Sequence, residues 1–302
     1  MSAERTAFVR AMPWLFVLIW STGFVVARLA MPHAPPFGFL SMRFALSALC
    51  FFVWISLSGA AWPQGRAEWF HLAVMGVLMQ AGYLGGVWAA VKSGLGAGTS
   101  ALLVGLQPVL TAIWLTRNAK SRSSSAVSAR RWLGLVFGFL GISLVVWPKL
   151  GGEVTPANLA MAIVALLSIT VGTLYQKRFV KPCDVRSASA VQMLAAFAVC
   201  LPLALLETEP FDWHLNLVAA MAWSVGVLTL GGSSLLYLLI QRGEATSVTS
   251  LLYLVPPCTA LMAWAMFRES LTPMMMVGVA VTVLGVALVV RPADNDPKEG
   301  ST

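Results

Sequence analysis

The chain has 302 residues, 58% of them hydrophobic and 11% charged, with a mean hydropathy of +0.80; a soluble domain carries about 25% charged residues, so a water-soluble globule is excluded. The formal charge of +8 resides in short connections between apolar runs, where membrane insertion places basic residues, and nothing else supports sequence-specific nucleic-acid binding. Cys50, Cys183, Cys200 and Cys258 show no CxxC spacing, so neither a disulfide framework nor a metal site is expected, and they read as small core residues.

An apolar helix of about 20 residues crosses a bilayer. The apolar runs leave room for ten such spans, near 12–30, 37–58, 69–92, 96–116, 132–148, 156–176, 187–206, 214–241, 245–267 and 272–291. The first follows Arg5 and Arg10 as a signal peptide would, but it is longer than a typical signal core and no small-residue cleavage site follows it. It carries Trp20, Ser21 and Thr22. In the second, Arg43 lies about two turns from the start, at a depth where a charge costs about 2.5–3.5 kcal/mol. Arg43 either snorkels to bond loop carbonyls, a structural role, or meets a substrate carboxylate.

The third span contributes Gln80 and Tyr83, and Gly94–Gly98 follows it. Those glycines lack the Lys-Ser/Thr of a phosphate loop and read as a tight helix connection. Gln107, Pro108 and Thr111 belong to the fourth span, Thr170 to the sixth, Tyr237 to the eighth and Tyr253 to the ninth. Gln and Ser can bond amino or carboxylate groups, and aromatic rings wall a flat side chain; any single one of these residues also suits an interhelical hydrogen bond. Pro256 and Pro257 interrupt the ninth span as Pro108 interrupts the fourth, and carbonyls freed in hydrocarbon are tolerated only against protein or a water-filled cavity. Gly134, Gly138 and Gly141 in the fifth span, and Gly278 and Gly285 in the tenth, offer small faces for close packing, within the chain or at a dimer interface. No span contains Asp or Glu, which argues against proton coupling through a buried carboxylate and for facilitated or gradient-driven movement. Residues 293–302 read as a solvated, disordered cytoplasmic tail.

With a cytoplasmic N-terminus the inner segments hold fifteen Lys and Arg residues, the outer ones only Arg28, Lys92, Lys149 and Arg268. That asymmetry places both termini in the cytoplasm. Shifting the chain on itself by 149 lays Gly23 on Gly172, Arg28 on Lys177, Gly94 on Gly243 and Pro108 on Pro257, and a shift of 144 lays Gly134 on Gly278. Two five-span copies, 1–148 and 149–292, follow. An odd number of spans makes the second copy enter from the opposite face, so the repeat is inverted, and interrupted helices at matching positions point to a midplane site.

Trp20-Ser-Thr-Gly-Phe24, Arg43, Pro108, Pro257, Phe267-Arg-Glu-Ser-Leu271 and the stretch from Gly278 to Gly285 resemble the EamA-type ten-helix branch of the drug/metabolite transporter superfamily, over residues 12–291. The resemblance implies spans 1, 3, 4, 6, 8 and 9 around a central cavity, spans 5 and 10 outside it, and Trp20, Gln80, Tyr83, Gln107, Tyr237 and Tyr253 near substrate. The chain departs from the family at Thr116-Arg-Asn-Ala-Lys120, where an acidic hairpin is common, and at Ile169-Thr170, where a Trp-Ala pair is frequent. Within the family it is similar to bacterial exporters of aromatic and other neutral amino acids. The expectation is an all-α inner-membrane secondary transporter working by alternating access as monomer or homodimer, with amino acids and membrane lipids as partners and no cofactor. An exporter of another small metabolite or drug, and a channel-like or lipid-scrambling protein, are the rivals. No HExxH or nucleophile elbow supports enzyme chemistry.

Overall fold

A computed structural model describes residues 2–117, 129–150, 152–232, 234–235 and 254–290. The helices are α1 (Ser2–Ala30), α2 (Pro36–Ser58), α3 (Arg66–Gly76), α4 (Tyr83–Lys92), α5 (Ala97–Val104), α6 (Gln107–Arg117), α7 (Ala129–Val146), α8 (Pro156–Phe179), α9 (Val185–Leu206), α10 (Leu215–Ala222), α11 (Val255–Phe267) and α12 (Pro273–Val290). A π-helical segment, Val77–Gly82, joins α3 to α4, and a second, Trp223–Gly231, continues α10. An isolated bridge between Leu150 and Val154 is the one piece of β pairing among the described residues.

Local chemistry sets the helix ends. Pro36 and Pro156 open α2 and α8, where a missing amide donor costs nothing. Thr155 and Asn158 form a reciprocal capping box at the start of α8. Gly59 closes α2 in the left-handed conformation, at a φ of 63°, and its amide donates to the Ile55 carbonyl.

Among the described residues five helices are long and apolar enough to cross a bilayer: Pro36–Ser58, Arg66–Lys92, Trp132–Lys149, Pro156–Phe179 and Val185–Leu206. Five shorter apolar stretches accompany them: Trp14–Ala30, Ala97–Thr111, Leu215–Gly231, Val255–Phe267 and Pro273–Leu288. Leu57, Leu206 and Phe139 are 84%, 78% and 70% exposed, an exterior that suits lipid and not water. The chain is a polytopic membrane protein.

The most extensive helix contacts are α2 with α9 and α7 with α12, followed by α4 with α8. The α7–α12 contact is made by glycine. A Cβ built on Gly285 would lie 2.5 Å from the Gly138 nitrogen and 2.6 Å from the Gly134 oxygen, and one on Gly141 would lie 2.5 Å from the Gly278 oxygen. The small faces expected from the sequence therefore close on each other inside one chain, and the dimer-interface use of them is not needed. Around α2, α4 and α9 lies the largest core cluster, where the Phe39 and Trp88 rings stack at 4.5 Å. Cys200 is buried as expected, but Cys183 is exposed in the α8–α9 connection, which corrects its assignment to the core. Flanking Lys181, Pro182 and Asp184 turn that segment out of the apolar layer.

One face of the bundle carries the connections α1–α2, α4–α5, α7–α8, α9–α10 and α11–α12, and its polar groups tie them together. Glu207 accepts from the amides of Phe37 and Gly38 at 3.1 and 2.7 Å, and Glu269 accepts from those of Ala97 and Gly98 at 3.0 and 3.4 Å. Lys92 donates to the carbonyls of Met31 and Ala34 and pairs with Glu209. His33 meets Asp212 at 2.7 Å and stacks on His214. The Gly94–Gly98 stretch is the tight connection expected. Its helix start is occupied by the chain's own carboxylates, with Glu153 on the Gly96 amide at 2.8 Å and Glu269 beside it, so no phosphate is needed there.

Candidate functional site

The interruption expected near Pro108 is present. Helix α5 stops at Val104, Gly105 and Leu106 intervene, and α6 restarts at Gln107 with Pro108 in its first turn. Helix α11 starts at Val255 with Pro256 and Pro257 in its first turn. Proline in a first turn removes no hydrogen bond, because those amides have no intrahelical partner. The start of α11 meets the end of α5 at the break before Pro108: a Cβ on Gly105, the residue that closes α5, would lie 2.9 Å from the Pro256 ring. A turn along α11 the buried Thr259 hydroxyl donates to the Ser21 carbonyl at 3.2 Å, joining α1 to the same point.

The other expected residues divide between this point and the helices beside it. The Ser21 hydroxyl is taken by its own helix, donating to the Val17 carbonyl at 2.7 Å, and the Thr170 hydroxyl does the same with Leu166 at 2.6 Å. Gln107 Nε2 donates to the Thr173 hydroxyl at 3.1 Å, joining α6 to α8. One turn further along α6, the Thr111 hydroxyl is buried with no partner. Trp20 is half-buried, its ring 5.4 Å from Phe16. Tyr237 and Tyr253 lie outside the described residues.

Two features escape a sequence reading. The π segment Val77–Gly82 contains Gln80 and directly precedes Tyr83; the shift of 149 that aligns the prolines lays it on 226–231 of the second π segment, and Gln80 on Thr229. π turns inside α-helices concentrate at functional sites. The aligned polar positions Gln80 and Thr229 were a signal available in the sequence. Gln80 is half-buried, while Tyr83 is buried against the core.

The second feature is the setting of Arg43. The side chain is 7% exposed, and Nη2 donates to the Thr229 hydroxyl at 3.3 Å; that hydroxyl donates to the Ser224 carbonyl five residues back. Arg43 thus bonds no loop carbonyl, and the snorkelling expectation is corrected: Lys92 plays that part. Tyr83, at the end of the other π segment, is within electrostatic reach of the guanidinium. Arg43 Nε and the hydroxyls of Ser47 and Ser224 are buried with no hydrogen-bond partner.

The chain matches the EamA-like transporter family over residues 12–147 and again over 157–291. An uncharacterized transporter of Bacillus subtilis is 23% identical over 291 residues, covering 94% of this chain and 91% of its own. A Salmonella typhimurium protein described as a probable amino-acid metabolite efflux pump is 21% identical, covering 90% and 91%. A solved crystal structure at 19% identity superposes with a TM-score of 0.64 and covers 94% of this chain and 97% of its own.

Proposed function

The chain belongs to the EamA-like transporter family, and from that premise we propose that it is an inner-membrane exporter of aromatic and other neutral amino acids, moving them by alternating access down their gradient. The observation that carries the alternating-access part is the meeting of the proline-started α11 with the break between α5 and α6, at Pro256 and Gly105. A pair of interrupted helices facing each other is the arrangement from which inverted-repeat carriers build a substrate site. Under the shifts of 149 and 144, α2 corresponds to α9 and α7 to α12, so each of the two most extensive contacts joins a helix to its own counterpart. Packing of that kind supports two inverted five-helix repeats, 1–148 and 149–292, with a two-fold relation between them. The amino-acid part draws on the Salmonella efflux pump. Both termini would face the cytoplasm, by the distribution of Lys and Arg, and the tied face would then be the outer one.

The test is counterflow. Liposomes containing the purified protein and preloaded with unlabelled amino acid are expected to accumulate labelled amino acid transiently and saturably, as a carrier does and a channel does not. No stimulated exchange across a panel of neutral and aromatic amino acids would overturn the assignment. Trp20→Ala and Gln80→Ala truncate half-buried side chains, so insertion and monodispersity are expected to survive while exchange falls at least about 10-fold, equivalent to about 1.4 kcal/mol of lost binding. Unchanged exchange in both variants would remove these residues from the substrate path.

A further inference from the structure

We infer that Arg43, Ser47, Ser224 and Thr229 form a carboxylate-binding site, and that the protein requires a free monoanionic carboxylate on the molecule it carries. Arg43 is the one Lys or Arg of the expected spans that lies away from a span end. A guanidinium has five donors, yet the structure gives this one a single hydroxyl acceptor at 3.3 Å and leaves Nε unpartnered. Buried cations in a membrane protein pair with an anion or face a path. No carboxylate among the described side chains is free to serve. Glu207 and Glu269 cap α2 and α5, Glu153 pairs with Lys149, Glu209 with Lys92, Asp212 with His33 and Asp184 with Arg186, while Glu68 accepts from the Gln64 amide.

The neighbours complete the chemistry. Ser47 is one turn along α2 from Arg43, on the same helix face, and Ser224 is the residue whose carbonyl anchors Thr229. Both serines are fully buried with idle hydroxyl donors. A guanidinium fork with two hydroxyl donors matches the two oxygens of one carboxylate. One cation also limits the charge: a phosphate dianion would keep an uncompensated charge away from water, so phosphorylated metabolites do not suit this locus. The site lies between the two π segments, with Thr229 on one and Tyr83 just beyond the other.

The inference rests on the transport reading for the ligand's identity, and three phenyl compounds separate the two. In thermal unfolding of the full-length protein in detergent, phenylalanine and 3-phenylpropionate are expected to raise the melting temperature. 2-Phenylethylamine, which lacks the carboxylate, and an equal concentration of sodium chloride are not. Arg43→Gln should lose both shifts. Arg43→Lys, which keeps the charge without the fork, should weaken binding about 10-fold. Without ligand, Arg43→Gln should melt no lower than the wild type, because it removes an unpaired buried charge; a structural anchor would melt lower, and that result overturns the inference. Equal shifts from phenylethylamine or chloride overturn it as well, as does the absence of any shift from phenylpropionate. Amino-acid counterflow with phenylethylamine competing as well as phenylalanine would defeat the carboxylate site alone. Arg43-dependent binding of phenylpropionate without amino-acid counterflow would defeat the amino-acid reading alone.

Discussion

Leucine at Gly285 is expected to remove the protein from the monodisperse fraction altogether, with a loss in stability of about 3 kcal/mol or more, the top of the range for overpacked sites. A Cβ there would meet the Gly138 nitrogen at 2.5 Å, the Gly134 oxygen at 2.6 Å and the Phe137 carbonyl carbon at 3.0 Å. All three are backbone atoms, so no side chain can rotate away and α7 must separate from α12. Against a typical total of about 5–15 kcal/mol, that separation is a large fraction. Alanine at the same position should give an intermediate loss. Leu284→Phe, at a neighbouring position 60% exposed to lipid, should leave the protein intact. Size-exclusion profiles and melting temperatures of the three variants check this; a Gly285→Leu protein that elutes and melts like the wild type would refute the α7–α12 contact. The effect concerns folding, and so contrasts with Trp20→Ala, where transport falls in an intact protein.

The glycine contact was legible because small residues at helical spacing have few uses in a membrane. The break before Pro108 was legible because proline's consequences are local. Arg43 announced its burial by being a charge inside a span, but its partner did not announce itself, since Thr229 is 186 residues away. The π segments left no trace in the periodicity: both faces of these helices are apolar, one against lipid and one against protein, so the pattern that reports helical phase in a soluble protein is weak here. Glu269 lies within the Phe267–Leu271 stretch that carries part of the family resemblance, yet its role as a cap on α5 depends on amides 171 and 172 residues away. Cys183 was misread because flanking apolar runs drew it into the core, although Pro182 and Asp184 mark a turn.

Removing both carboxylate caps, in Glu207→Ala/Glu269→Ala, is expected to open the tied face. Pro35 and Gly96 stand at the N-caps of α2 and α5, and neither caps its helix with a side chain. The exposed amides are satisfied instead by carboxylates from connections in the second half of the chain. Each cap therefore does two things: it completes a helix start and it fastens one half of the bundle to the other. Arg28, whose Nε is 4.0 Å from Glu269, adds a third member to that fastening. A lost cap costs about 1 kcal/mol, so two cost about 2 kcal/mol, which shifts the ratio of open to closed forms about 30-fold if the caps exist only in the closed form. With Cys50, Cys183, Cys200 and Cys258 replaced by Ala, a Gln80→Cys probe should react faster with a membrane-impermeant maleimide applied on the side of the tied face in the double variant than in its parent. On the export function and orientation proposed above, transport should fall, because a carrier biased to the form open at the tied face returns slowly to load. A double variant that melts lower but labels no faster would confine both carboxylates to their helix ends, and the closing of the tied face would have to be sought in the contacts of Lys92 and His33.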